Sequence, residues 1–459
     1  MQAITLALAA LASGLVLYLP PAQAFAVYMT TLLFYPVYLV VQVGSLDISA
    51  GRIVVTVLLL RCLLNPGIRA KFQWCSLDSW VTCFMLVILS IAVTAWKIPI
   101  AKTLENEAGR IVDSYFAYMT ARLCLTDQNA MRTTIKWIAA ALIPLAVLGA
   151  VESYTGWAPY YQLRRYCPWA SITTPTLNIR SGFYRAVGPF SHPILFGAAF
   201  VMFLPVVYWL RHESRRWRLR SRAIIIMLII GAMSSMSSGP VMMLIFTVFF
   251  LWLERHKNYV KPLLVLLATM LVLAEIGSNR TIWHVVASYA DPIGGSGWHR
   301  AKLLDVAIER FGEWWFVGYR RQDPGWGAAV GMTWTDITNH YLVVGVKYGI
   351  LGIIMLVGVL IVSVKNLIRM HKAAAPKVSK SWHWSLGTIL MALIISFNAF
   401  TLFGQANTLF YCLLGFIGST IALPKCSGVL KEWSIKQLGP NRLDRVASQP
   451  TAMLRETFR

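Results

Sequence analysis

The chain has 459 residues, of which 57% are hydrophobic, 12% aromatic and only 13% charged. Soluble globular chains carry about a quarter charged residues, so this balance excludes an ordinary soluble enzyme. The excess of Lys plus Arg, 42 against 19 Asp plus Glu, reads first as cytoplasmic anchoring of membrane spans rather than as nucleic-acid binding.

The opening 20 residues are apolar without a basic start, which predicts a retained first anchor rather than a cleaved signal. A hydrocarbon core about 30 Å thick needs about 20 apolar residues in a helix. Runs of that kind fall at 3–19, 24–43, 79–96, 134–151, 191–210, 260–276, 341–362, 384–402 and 406–423. Residues 53–64 are apolar but short and carry Arg61, and residues 105–124 are amphipathic. The long run 223–253 is broken at 234–240 by Ser-Ser-Met-Ser-Ser-Gly-Pro, which predicts two short helices meeting there. The expected fold is therefore all-α, a polytopic transmembrane helical bundle of 12 or 13 spans with one large periplasmic loop.

Orientation follows the basic residues of short loops. Six arginines lie in 211–222, five Lys or Arg in 365–380, and the tail after 424 is basic; these segments are inside. Alternation puts 152–190 and 277–340 outside, and the ambiguous early segments leave the side of the N-terminus open. Neither an internal repeat nor a second soluble domain is visible. The chain divides into N-terminal transmembrane helices over 1–151, a transmembrane core with outer loops over 152–423, and a basic cytoplasmic tail over 424–459.

The outer loop 277–340 carries Arg280, Arg300, Lys302, Arg310, Arg320 and Arg321. Guanidinium forks match phosphate oxygens, so as a set they read as holders of a lipid pyrophosphate. For any single one, a headgroup contact or an ion pair with Asp291, Asp305, Glu309 or Asp323 is the better explanation. Leu303, Leu304, Ala307, Ile308 and Phe311 recur at helical spacing and predict an amphipathic helix over 300–316. Trp314, Trp315 and Trp326 fit an interfacial belt.

In the loop 152–190, Arg164, Arg165, Arg180 and Arg185 lead towards His192, for which a structural role is expected. His340 stands where the large loop re-enters the membrane, beside Asn339 and close to Asp336, where a neutral imidazole could accept a proton. His284 and His299 are lesser candidates. The seven cysteines form no CxxC and stand at no zinc spacing. There is no GxSxG, Walker, HExxH or GxGxxG motif in the right setting, so hydrolase, ATPase, metalloprotease and Rossmann chemistry lack support. A transporter is disfavoured because the clear spans are almost free of ionisable residues.

Four stretches remain. They are Arg185-Ala-Val-Gly-Pro-Phe-Ser-His-Pro-Ile-Leu-Phe-Gly197; the serine-rich break ending Ser238-Gly239; Gly297-Trp-His-Arg300 with Gly318 after it; and Asn339-His-Tyr-Leu342 followed by Gly349-Ile-Leu-Gly352. In this order, around one large outer loop, they resemble the O-antigen ligase and O-antigen polymerase superfamily, over residues 180–360. The resemblance implies an inverting glycosyltransferase of the bacterial inner membrane with its active site facing the periplasm, independent of metal or cofactor. Its donor would be an undecaprenyl-pyrophosphate-linked glycan and its other partners a glycan acceptor, the lipid bilayer, a chain-length regulator and a flippase, with no nucleic acid. Arg185 and Arg300 match arginines that hold the donor pyrophosphate, with Arg280 and Arg320 as further binding candidates and His340 as the base. Ligases carry a His-Asn pair eleven residues before the first glycine of the GxxG pair. Here that register falls on Thr338, with Asn339 matching and His340 two places late, so Thr338, Asn339 and His192 are secondary candidates. The departure favours a polymerase of lipid-linked repeat units over a ligase that transfers glycan to a lipid A core.

Overall fold

The computed structural model describes residues 2–36, 38–43, 46–94, 99–166, 179–277, 284, 297–320, 322–374 and 377–437. Apolar runs that must satisfy their own backbone groups wind into helices. In order they are α1 Gln2–Tyr18, α2 Pro21–Phe34, α3 Ala50–Leu64, α4 Pro66–Arg69, α5 Ser76–Ala92, α6 Ile100–Ile111, α7 Ala117–Cys124, α8 Gln128–Thr155, α9 Pro159–Gln162, α10 Pro193–Trp209, α11 Arg215–Ser234, α12 Ser238–Leu253 and α13 Val260–Gly277. There follow α14 Gly297–Glu309, α15 Phe311–Trp314, α16 His340–Ala373, α17 Lys377–Ser396 and α18 Gly404–Gln437. A π turn, Val112–Phe116, joins α6 to α7. Side-chain caps begin several of these helices: Asp127 accepts from the Ala130 amide and Ser214 from the Trp217 amide, each satisfying a donor that a first turn leaves open.

Five helices among the described residues are long and apolar enough to cross a membrane, Gln128–Thr155, Pro193–His212, Lys257–Gly277, His340–Ala373 and Gly404–Leu423, and four shorter ones are apolar. The chain is an all-α membrane protein. Its described strands are two small hairpins, β1 Val40–Val43 with β2 Leu46–Ser49 and β3 Ile179–Arg180 with β4 Phe183–Tyr184. The first hairpin corrects the expected span over 24–43. That helix stops at Phe34 because Pro36 cannot donate to it, and the β-branched run beyond folds back on 46–49 instead.

Hydrogen bonds show which ends of the helices lie together. Thr5 in α1 bonds Tyr35 beyond α2, and Tyr38 donates to the Tyr160 carbonyl beyond α8. One end of the bundle thus gathers the start of α1, the β1–β2 hairpin and the loop after α8. At the other end Trp209 donates to the Val378 carbonyl, Arg211 pairs with Glu254 at 3.0 Å, and Lys257 meets His371. The arginine-rich loop lies at this second end, so the described N-terminal residues share the end that holds loop 152–190.

The serine-rich break forms as expected, with Met236 in the left-handed region at φ 42° between α11 and α12. A second break was not foreseen. Gly349, at φ 69° and ψ −172°, divides α16 into two helical pieces. The backbone groups it releases are recaptured from outside: the Ile350 amide donates to the Trp315 carbonyl at 2.7 Å, and the Val346 carbonyl accepts from the Tyr319 amide at 2.6 Å. A Cβ at Gly349 would collide with the Phe316 carbonyl. Gly349→Ala is therefore expected to destabilise the protein by about 1–3 kcal/mol or more, read as a lower unfolding temperature in detergent and faster proteolysis of 315–319. A variant as stable and as protease-resistant as the native chain would refute this.

A second, smaller core sits at this junction: Leu303, Val306, Ala307, Trp314, Trp326 and Val330 pack against Leu342 and Val346 of α16. Two expectations change. Trp314 and Trp326 are core residues rather than members of an interfacial belt, while Trp315 is half exposed. The amphipathic helix ends at Glu309, and its buried stripe is Ala301, Leu303, Val306 and Ala307. Ile308 and Phe311 face outward, because the chain turns at Arg310 before α15.

Candidate outer-face site

The segment carrying Arg185 is clamped from two sides. Glu152, buried in the last turn of α8, accepts one amide on each carboxylate oxygen, from Val187 and from Gly188, both at 3.0 Å. Ser153 donates to the Tyr184 carbonyl at 2.8 Å, and the Ala186 amide donates to the Ser234 carbonyl at 3.0 Å. Between these anchors Arg185 is 7% exposed and donates through Nη2 to Ser237 Oγ at 2.8 Å. Burial first, and then the like charge of Arg180, push its pKa down to about 10, which leaves it protonated at neutral pH.

His192 caps α10: its Nδ1 accepts the Ile194 amide at 3.2 Å, the structural role expected of it. Burial, then Arg185 and Arg180, lower its pKa to about 4, so the ring is neutral at pH 7. Burial is the first cause of both depressions and neighbouring guanidinium charge the second, and that positive charge favours an anion.

A loop that sequence reasoning passed over, 397–403, ties this mouth to α16. The His340 amide donates to the Phe397 carbonyl at 2.7 Å, the Leu402 amide donates to His340 Nδ1 at 3.3 Å, and Thr401 donates to the Ile337 carbonyl. Phe403 meets the His192 ring edge-on at 6.3 Å, and a Cβ on Gly239 would stand 2.9 Å from the Phe400 ring. Asn339 caps α16 through the Leu342 amide and reaches Asn398 at 3.4 Å. His192, Asn339 and His340 are thus arranged around one short loop, and Arg185 stands beside His192 on the serine-rich break. Thr338 stands beside it with Oγ1 buried and no hydrogen-bond partner among the described residues.

The ring of His340 is buried. With Nδ1 accepting the Leu402 amide, the neutral imidazole carries its proton on Nε2. In this arrangement it offers a donor, and taking a proton at Nδ1 requires the Leu402 bond to open.

Arg300 and Arg320 lie in the outer layer that caps α16. Arg300 is half-buried on α14 next to His299, whose Nε2 meets the Asp336 carbonyl at 3.0 Å, four residues before His340. Arg320 is half-buried at φ 50°, directly after the Tyr319 amide that grips Val346. The half-helix from His340 to Tyr348 joins this layer to the mouth. Arg280 lies outside the described residues. Some outer charges take the simpler part: His284 pairs with Asp305 at 2.9 Å and Arg310 with Glu313 at 4.0 Å.

Charge inside the bundle is the other feature the sequence concealed. Asp78 and Arg122 form a buried pair at 2.8 Å, Arg52 pairs with Asp113, and Arg110 bridges the buried Glu107 to Tyr348. Asp78 and Glu152 escape a count restricted to the predicted spans because the helices begin or end a turn beyond them. An apolar pocket of about 30 Å³ lined by Met29, Met202, Phe203, Leu409, Cys412 and Phe416 offers no polar chemistry.

No protein-family model matches the chain. Over 306 residues it is 25% identical to the chloramphenicol-sensitive protein RarD of Pseudomonas aeruginosa, an alignment that covers 62% of this chain and 95% of that protein.

Proposed function

We propose that the chain is a membrane glycosyltransferase that polymerises undecaprenyl-pyrophosphate-linked oligosaccharide repeat units at the periplasmic face of the bacterial inner membrane. The observation that carries this reading is the positive mouth at the outer end, where buried Arg185 stands with half-buried Arg180 and neutral, half-buried His192. An acceptor sugar hydroxyl attacks the anomeric carbon of the donor glycan, the bond to the pyrophosphate oxygen breaks, and undecaprenyl pyrophosphate leaves. Arg185, with Arg300 and Arg320 from the outer layer and with Arg280, stabilises the charge that develops on the leaving group. His340 and Asn339 orient the acceptor, and His340 takes the hydroxyl proton once Leu402 releases Nδ1. In this topology α1, α2, α3, α5, α6 with α7, α8, α10 to α13 and α16 to α18 make 13 crossings, with the N-terminus outside and the basic tail inside.

The test is the size distribution of undecaprenyl-linked glycan in a strain lacking the protein, beside its complemented counterpart. Single repeat units should build up and long chains vanish. Long chains that stay on undecaprenyl lipid and never reach a lipid A core or other final acceptor would instead mark a ligase.

The similarity to a protein named for chloramphenicol sensitivity, together with the buried ionisable residues of the N-terminal helices, favours a second reading, a transporter of a small molecule or glycan lipid. In the same strains this reading expects altered growth inhibition by chloramphenicol with glycan sizes unchanged, or donor stranded on the cytoplasmic side. Unchanged glycan sizes would sink the polymerase.

A further inference from the structure

Helix α11 begins with five arginines in eight residues, Arg215, Arg216, Arg218, Arg220 and Arg222, all of them exposed. The carboxylates nearest in sequence are committed elsewhere: Glu213 pairs with Lys136 and Glu254 with Arg211. Among the described residues, none of the five arginines forms an ion pair.

The faces of the helix add a second observation. Residues 215, 219, 222, 226, 230 and 233 follow one another at intervals of three or four and so share one side. Along that side run Arg215, Leu219, Arg222, Ile226, Ile230 and Met233, every one exposed, with Arg218 at its edge. Cations stand at the inner end and an uncovered apolar strip extends from them into the bundle's depth. A phospholipid has the same order of parts, an anionic headgroup above an acyl chain.

Length strengthens the match. From Ala223 to the serine break, residues 223–234 supply about 18 Å of helix, short of the roughly 30 Å of hydrocarbon. Arg222 and Arg218 therefore stand at or below headgroup depth, where a guanidinium needs a phosphate drawn in to meet it or must snorkel out.

We infer that this side of α11 is a binding site for anionic phospholipid of the inner leaflet, with the phosphate held among Arg215, Arg218 and Arg222 and an acyl chain lying along Ile226, Ile230 and Met233. The site depends on the membrane reading of the chain and not on the glycosyltransferase reading, so either can fail alone.

The test uses the purified full chain in detergent, titrated with phosphatidylglycerol or phosphatidylcholine and read by native mass spectrometry. The native chain should retain phosphatidylglycerol and shed phosphatidylcholine. Each arginine near an anionic surface is worth about 5-fold, so the R215Q/R218Q/R222Q variant should bind phosphatidylglycerol ~100-fold more weakly, while R164Q/R165Q, at the outer end, should leave binding unchanged. If the triple variant fails to fold, raising salt from 0.1 M to 0.5 M on the native chain replaces it, and retained phosphatidylglycerol should fall. Equal retention of the two lipids, native-like binding by the triple variant, or insensitivity to salt would each overturn the site. So would tight binding of a DNA oligonucleotide or polyglutamate that phosphatidylglycerol cannot displace, which would assign the arginines to an acidic macromolecule.

Discussion

Arg185→Ala is expected to lower glycan transfer by about 100-fold to 1,000-fold, with lipid-linked donor accumulating outside. Arg185 is buried and hydrogen-bonded within the mouth, through Ser237. Alanine leaves the Ser237 hydroxyl to water and removes the charge proposed to face the leaving pyrophosphate. Arg185→Lys should fall between, because an ammonium keeps the charge and loses the fork. The measurement is the length distribution of lipid-linked glycan in cells that carry each variant at matched membrane abundance. Arg300→Ala should act in the same direction. Polymer at normal length and amount in Arg185→Ala would remove Arg185 from the proposed mechanism.

Asp78→Asn should have the largest effect on stability, about 3–5 kcal/mol. Asp78 lies wholly buried at the start of α5, and its carboxylate accepts from Arg122 Nε and Nη2 at 2.8 Å each, from the Tyr118 hydroxyl and from the Cys75 amide. Asparagine has one acceptor oxygen where the carboxylate has two and carries no charge, so the buried guanidinium is left uncompensated. Replacing both partners with apolar residues, as in D78L/R122L, should cost less than either single change, because no charge then remains inside. Thermal unfolding in detergent decides it. A single variant no less stable than the double one would show that the pair does not hold α5 against α7.

The resemblance names Arg185, but neither its anchoring nor the Asp78–Arg122 pair could be anticipated from the sequence, and the reason is the same in both cases. The residues that matter are paired across long stretches of chain: Asp78 with Arg122, Glu152 with the amides of Val187 and Gly188, His340 with Leu402. Each looks ordinary in its own neighbourhood. Glu152 falls one residue past a predicted span, and residues 397–402 fall within the predicted span 384–402, where the structure ends the helix at Ser396. Gly349 is plain in the sequence as part of a GxxG pair, but the need for glycine there arises from the Phe316 carbonyl pressed against it. The misread tryptophans have a similar origin. An interfacial belt and the core of a docked outer layer call for the same amphipathic rings, and only the packing of Trp314 and Trp326 against α16 separates the two.

The sequence by itself determined that the chain is a helical membrane protein, where most of its helices run, that 223–253 breaks at its serines, and which loops share the arginine-rich side. These follow from local properties: apolar length against bilayer thickness, the missing donor of proline, and the solvation of charge at a helix end. The tertiary structure decided the rest. It set the described N-terminal residues beside loop 152–190, turned 40–49 into a hairpin, divided α16 at Gly349, and drew His192, Asn339 and His340 around one loop with Arg185 next to His192. Those outcomes depend on which buried donors and acceptors meet once the helices pack, a contest among partners far apart in the chain that no local pattern records.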